Sequence, residues 1–445
     1  MAGRRLDAGA LELGGGLEVL LGAALEGVGP GEALEVATPS RAVALELPSW
    51  ARSRGHEAGD PVRARDDGGP LYLVGIAKAS AGEVLAPPLP ARREPPPLRD
   101  GGEFHSAELR AGGPPGDGAA GGPAAAGGPA VDLGASAVGL GAPPTRAEPG
   151  AGLAPIGSLP EAGAPEFSWA LNDLGRLWAD DVAELTEQAS AAQWDASRDV
   201  PWEAAAGLPE EVERAVAQVM TYVAQNECAA LYVPSRFLPQ VNPRYAELLM
   251  WLAAHVHDEA RHLEVFTKRS LIGGQAGYAL ASTELSLKTL LEESDFTAAS
   301  LLLNVLGEGT FLDLLGFVAE HAPDAATATA ARLAHRDEQR HVHFGISHVR
   351  RSIENDPDLA GSLVAAAEAR TAKLAGLSQL NPVITESLTL MSAASRQPAE
   401  LAEAAAAVRG LMAAMERNRV RRLRAAGFDE ATARHLSDLH TPNLM

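Results

Sequence analysis

Four glutamates in this chain stand where an apolar side chain belongs. Across residues 208–235, Val216, Val219, Met220, Val223, Ala230 and Leu231 recur at helical spacing, and Glu227 interrupts their stripe. Glu259 interrupts Leu252, Val256, Leu263 and Phe266 in the same way, with His262 one turn later. Glu308 breaks the stripe of Leu301, Val305, Leu312 and Leu315, and Glu338 with His341 breaks that of Ala331, Ala334, Val342, Gly345 and Val349. An isolated carboxylate is costly to remove from water, so such groups are buried only when paired or when they hold a metal ion. Few cationic side chains share these stripes. Two divalent ions would balance four glutamates and leave the histidines neutral, so charge favours a di-metal site.

The spacing Glu-x-x-His puts two ligands on one helix face, one turn apart, and it occurs twice. The repeats agree beyond the ligands, reading DEARH at 258–262 and DEQRH at 337–341. In each, the aspartate is spaced to pair with the arginine and to accept the free N–H of a histidine, on its own helix or across a bundle. Asp258, Arg261, Asp337 and Arg340 are therefore expected to support the ligands Glu227, Glu259, His262, Glu308, Glu338 and His341. His255, four residues before Glu259, is a candidate seventh ligand, its alternative being a core histidine hydrogen-bonded nearby.

One glutamate from each of two helices plus Glu-x-x-His from two more is the ligand inventory of di-iron and di-manganese carboxylate bundles. At these residues the chain resembles the ferritin-like di-iron carboxylate superfamily. The doubled DExRH is closer to the oxygen-activating members, such as monooxygenase hydroxylases, acyl-carrier desaturases and the ribonucleotide reductase small subunit, than to storage ferritins. The resemblance implies two irons, or manganese plus iron, with O2 as co-substrate, and an oxidase or oxygenase acting on a C–H or N–H bond of a small organic molecule. Ferroxidase or iron-handling activity, and a non-catalytic partner protein stabilised by metal, are the alternatives.

Other residues near these motifs have plainer readings. Tyr222 and Tyr232 are expected to pack, Cys228 to be a small buried residue, and His335, His343 and His348 to lie at the surface or to support the site without ligating. Phe311, Leu312, Leu315 and Phe344 are candidate pocket walls. Gly307 and Gly309 flank Glu308 inside a helix, which local bending, a π-bulge or close helix packing would each explain. The run of arginines from Arg417 to Arg424 reads as a solvated helix face, or as partners for acids.

The elements that must carry these residues are helices at about 168–192, 208–235, 243–271, 282–321 with a break near 294, 324–354, 358–374, 382–393, 398–425 and 428–438. Pro201, Pro209, Pro234, Pro239 and Pro243 are among the prolines that mark their ends. Residues 165–445 are thus expected to form an all-α ferritin-like four-helix bundle with extra C-terminal helices. Residues 227 and 259, and 308 and 338, are each separated by one helical hairpin, as in a duplicated hairpin.

Before the bundle, residues 84–164 are rich in Gly, Pro and Ala and read as a disordered linker, 111–130 having no other residue type but Asp117. Residues 1–83 read as a small α+β domain, with strands at 31–39 and 69–79 and a helix at 41–59. There GEALEV followed by ELPSWARSRGHE resembles the TusA-like sulfur-carrier fold. That family carries sulfur on a cysteine at the start of its first helix, which LELGGGLEVLL (11–21) lacks, leaving a docking or scaffold role.

The chain has 445 residues, 45 of them Gly and 31 Pro, with 37 Lys and Arg against 58 Asp and Glu. A net charge of −21 repels nucleic acid and anionic membranes. One cysteine excludes an intrachain disulfide or an iron–sulfur cluster. Asp7 and Glu12 interrupt any signal-peptide core, and no run of 18 apolar residues occurs, so a cytoplasmic protein is expected. Without a dinucleotide fingerprint, electrons must come from an external donor or the substrate. A homodimer is a further expectation.

Overall fold

The computed structural model describes residues 4–66, 69–78, 143–147, scattered positions from 152 to 165, and 167–440 apart from 275 and 375–381. The expected linker stretch 84–142 lies outside the described residues.

The N-terminal unit runs β1 (Arg4–Asp7), α1 (Leu17–Glu26), β2 (Ala33–Thr38), α2 (Arg41–Ser53), β3 (Glu57–Ala58), β4 (Val62–Asp66) and β5 (Gly69–Ala77). β1 pairs with β2 in parallel, Leu6 facing Val36, and β2 pairs antiparallel with β5, Val36 facing Val74. β3 and β4 both pair with β5. Leu17, Leu21, Val36, Leu47, Val74 and Ile76 make one apolar core between sheet and helices. The helix expected over 41–59 stops at Ser53: Gly55 takes φ +78°, His56 N–H donates to Ala51 O at 2.9 Å, and the chain turns into β3.

The helical part holds α3 (Val182–Ala191), α4 (Glu210–Phe237), α5 (Ala246–Leu271), α6 (Ala281–Leu291), α7 (Phe296–Ser300), a π-helical segment Leu301–Glu308, α8 (Gly309–His321) and α9 (Ala325–Asn355). α10 (Leu359–Lys373), α11 (Pro382–Ala393), α12 (Pro398–Ala425) and α13 (Glu430–Leu439) follow. This is the expected ferritin-like arrangement, in which α4, α5, the run 301–321 and α9 form the central bundle around Trp251, Phe266, Leu301, Leu315 and Phe344. Phe296–His321 is long and apolar enough to cross a membrane, but 83% of its most apolar window is buried inside the bundle.

Three local expectations need correction. The helix expected over 168–192 is α-helical only in α3, because Asp173 accepts the Gly175 N–H at 2.9 Å and diverts the chain into a short 3-10 turn, Leu174–Arg176. Pro234 does not mark a helix end; it lies within the last turns of α4. Residues 143–147, within the stretch assigned to the linker, lie on the bundle: Ala147 is buried, and its N–H donates to Asn172 O at 3.1 Å.

The π-helical segment explains one glycine beside Glu308. A Cβ on Gly309 would lie 2.6 Å from Arg422 Nε of α12, so glycine there lets the arginine side chain lie against this helix. The wider π-winding and the close packing therefore occur together. The N-terminal unit touches the bundle through α1 against α11, through Gly16 beside Leu401, and through an ion pair between Arg54 and Glu386.

Candidate metal centre

Each stripe glutamate is buried in the bundle core: Glu227 on α4, Glu259 on α5, Glu308 at the end of the π-helical segment, and Glu338 on α9 are at most 4% exposed. They converge into two clusters. Glu227, Glu259, His262 and Glu338 form one; His255, Glu259, Glu308 and His341 form the other. In each cluster one ligand atom per residue lies within 4.8 Å of all the others, and Glu259 belongs to both. The structure brings together all six residues expected from the motifs and adds His255, whose Nε2 is 3.1 Å from Glu308 Oε1 and 3.3 Å from Glu259 Oε1. The His255 and His341 rings stack with centroids 3.8 Å apart.

The histidines are held from behind. His262 Nε2 faces Asp337 Oδ2 at 3.4 Å, and His341 Nε2 faces Asp258 Oδ2 at 3.4 Å. Each aspartate thus serves the histidine of the opposite helix, not of its own. Arg340 donates to Asp258 Oδ2 at 2.8 Å and to Asp337 Oδ1 at 2.7 Å; Arg261 donates to Asp337 Oδ2 at 3.0 Å and also to Asp258. Two arginines and two aspartates cancel in charge. With a proton on each Nε2, the Nδ1 lone pairs of His262 and His341 point toward the glutamates.

Among the described residues no lysine or arginine is at ion-pair distance from the four glutamates, whose nearest ionisable nitrogens are those of the three histidines. Glu259 Oε1 and Oε2, Glu227 Oε1 and His262 Nδ1 are buried without a hydrogen-bond partner. His341 Nδ1 comes within 2.9 Å of Glu259 Oε1, and His262 Nδ1 within 3.3 Å of Glu338 Oε1, so imidazole nitrogen faces carboxylate oxygen in each cluster. Burial, then the charge of Glu259, pushes Glu227 well above the usual carboxylate range, and burial likewise raises Glu308. Burial opposes charge on His262 and His341 too, but the surrounding carboxylates hold both well above the usual histidine range. The cluster therefore attracts positive charge, as protons or as cations. Opposed donors on one ion bonded at roughly 2.1 Å stand about 4.2 Å apart, so the observed separations suit two transition-metal ions.

Three supporting residues escaped the sequence reading. Trp194, after α3, donates Nε1–H to Asp337 Oδ2 at 2.6 Å, and Gln193 accepts from Arg261. Asn304 donates to Glu308 Oε2 at 2.6 Å from one π-turn earlier. A polar residue within the apolar run LLLNVLGEG marks Asn304 in the sequence; no local signal marks Trp194, which arrives from outside the four helices.

The remaining candidates fall elsewhere. Tyr222 is fully buried beside Phe311, whereas Tyr232 is 60% exposed. Cys228 is half-buried, not fully buried as expected. His343 is exposed against Asp181 and His335 is half-buried, but His348 is fully buried and faces Trp178 O and Thr297 Oγ1, away from the site. Phe344 packs between Trp251 and His348, and Leu315 is fully buried. An open groove of 520 Å³ instead runs between α3 and α9, past Asp181, Glu184, Arg336 and His343 to Arg340.

The chain is similar to R2-like ligand-binding oxidases. One variant of that protein, with an aerobically reconstituted Mn/Fe cofactor, shows 17% identity and a TM-score of 0.42 over 56% of this chain and 94% of its own. A second, with an aerobically reconstituted Fe/Fe cofactor, gives the same identity, TM-score and coverage. A third, with an anaerobically reconstituted Mn/Fe cofactor, gives 17% and 0.39 over 54% and 94%. No family model and no curated protein sequence matches the chain.

Proposed function

We propose that this protein is a di-metal carboxylate oxidase that uses two irons, or manganese and iron, to oxidise a C–H or N–H bond of a small organic substrate with O2. The observation that carries the reading is the pair of buried clusters sharing Glu259, in which glutamate oxygens and imidazole nitrogens converge with no lysine or arginine among them. Glu227, Glu259, His262 and Glu338 would hold one ion, and His255, Glu259, Glu308 and His341 the other. Bound there, the metals supply redox chemistry and O2 binding, which no side chain offers.

This chain's own residues do the rest. Asp258 and Asp337 hold the imidazoles in the tautomer that turns Nδ1 inward, and Arg261 and Arg340 keep both aspartates charged. Asn304 fixes one oxygen of Glu308, leaving the other toward His255. Burial of all seven donors excludes water from the pair. Electrons would come from a separate protein donor or from the substrate itself.

Elemental analysis of protein prepared from metal-replete cells without chelators tests this reading. About two transition-metal ions per chain are expected, given the two clusters. Glu308→Ala and His341→Ala should each lose metal and O2 consumption. A folded chain with neither iron nor manganese, or normal turnover in either variant, would overturn the assignment.

A further inference from the structure

The described residues hold a second concentration of buried charge, of opposite sign to the first. Arg370 on α10 is 7% exposed, and its guanidinium donates only to hydroxyls of α6, Thr289 Oγ1 at 2.9 Å and Ser286 Oγ at 2.8 Å. Arg419 on α12 donates to Ser437 Oγ at 3.0 Å and Thr310 Oγ1 at 3.4 Å, again neutral oxygens. Neither arginine has a carboxylate at ion-pair distance among the described residues. Arg422, one turn further along α12, pairs with Asp313 at 3.0 Å, and its Nε is buried without a partner. His440, just after α13 and 8% exposed, directs Nε2 toward Thr310 Oγ1 at 3.4 Å and leaves Nδ1 buried and unpartnered.

Asp313, the carboxylate that touches this group, is already engaged by Arg422 and by Asn418 Nδ2 at 2.7 Å. Glu416 and Asp438 act on Arg419 only at longer range. A chain of net charge −21 has acids in excess, yet among the described residues the buried Arg370 and the half-buried Arg419 meet neutral oxygens alone. Buried cations of this kind call for an anion.

We propose that Arg370, Arg419, Arg422 and His440 form a binding site for a small oxyanion, a carboxylate or a phosphate, enclosed by α8, α10, α12 and α13. Guanidinium forks match the planar, paired oxygens of such groups, and an imidazole nitrogen adds a further contact. The site is separate from the metal centre. Thr310 follows Glu308 by two residues, about 200° around the helix, so the cations lie behind the metal-bearing segment. Gly309 joins the two, because the Arg422 guanidinium rests on its Cα where any Cβ would collide. Burial, and then Arg419, Arg370 and Arg422, hold His440 well below the usual histidine range; burial lowers Arg370 to about 10 and, with Arg422, Arg419 to about 10. A bound anion would relieve all three.

Calorimetric titration of the full metal-loaded chain with sodium phosphate, and separately with sodium acetate, at ionic strength matched by sodium chloride, tests the site. Saturable uptake of one anion is expected, with Kd raised about tenfold or more in Arg419→Gln and Arg370→Gln for the loss of a charged hydrogen bond. Arg417→Gln, which removes the same charge from an exposed position of α12, should leave Kd within about twofold. Should Arg370→Gln fail to fold, the half-buried Arg419 carries the comparison. Binding of phosphate alone assigns the site to phosphate, and binding of acetate alone to an organic acid. No saturable binding of either anion, or equal weakening in Arg417→Gln, would overturn the proposal.

Discussion

Replacing Asp337 by asparagine removes one negative charge where four donors meet while keeping the side chain's volume. Oδ2 faces Trp194 Nε1 at 2.6 Å, Arg261 at 3.0 Å and His262 Nε2 at 3.4 Å, and Oδ1 accepts from Arg340 at 2.7 Å. Against the burial that opposes its charge, His262, Trp194 and Arg340 hold this carboxyl below the usual range. An asparagine oriented to keep the oxygen that Trp194 and His262 use would turn its NH2 toward Arg340, donor against donor, and leave two buried arginines sharing Asp258. Breaking a buried ion network in this way costs about 3–5 kcal/mol, a large part of the about 5–15 kcal/mol that holds a domain together. At about 2–4 °C per kcal/mol, the metal-free protein should melt roughly 6–20 °C lower. Loss of the group that orients a ligating histidine typically weakens metal binding 10–100-fold, about 1.4–2.7 kcal/mol. Thermal melts in chelator and a chelator-competition titration read the two effects separately. A lower melting temperature with unchanged metal affinity would mean that Asp337 joins helices without orienting His262, and wild-type values in both assays would refute the network's role altogether.

Metal uptake should release protons. Glu227, Glu308, His262 and His341 all hold protons more tightly than usual in this carboxylate-rich core, so protons compete with metal and affinity should rise with pH between about 5 and 8. Calorimetry in buffers of different ionisation enthalpy measures the release, and an affinity flat across that range would contradict it. Gly345→Ala probes the second cluster: its Cβ would lie 2.4 Å from Asn304 Cβ, on the side chain that steadies Glu308. Forcing α9 from the π-helical segment should cost about 1–3 kcal/mol and weaken one metal position more than the other, visible as a biphasic titration; two equal sites would show that the bundle absorbs the methyl group elsewhere.

What the sequence disclosed about the site follows from periodicity. An acid on a 3.6-residue apolar stripe must face the core whatever the helix packs against, so Glu227, Glu259, Glu308 and Glu338 were legible one helix at a time. The pairing of Asp258 with His341 and of Asp337 with His262 was not, because it depends on how α5 and α9 are rotated and staggered against each other. Helix ends failed where side-chain chemistry competes with the backbone, as at Asp173, whose turn shortens the helix expected over 168–192. Whether the expected pocket walls line space is harder to read from sequence. An inward-facing aromatic such as Phe344 can line space or fill it, and only the positions of Trp251 and His348 show that it fills.

The doubled motif suggests two equivalent halves, but the structure breaks the symmetry in two places. His255 has no counterpart in the cluster of Glu227, Glu259, His262 and Glu338, which has three carboxylates and one imidazole, whereas the other has two of each. Trp194 donates to Asp337, and among the described residues no indole reaches Asp258. Carboxylate oxygen suits manganese, and imidazole nitrogen suits iron. Two ions held here would therefore differ in charge compensation, ligand type and the hydrogen bonding behind their histidines. A duplicated hairpin would supply the scaffold for such a pair of ions. One added histidine and one tryptophan from outside the bundle would make two ions held there chemically distinct.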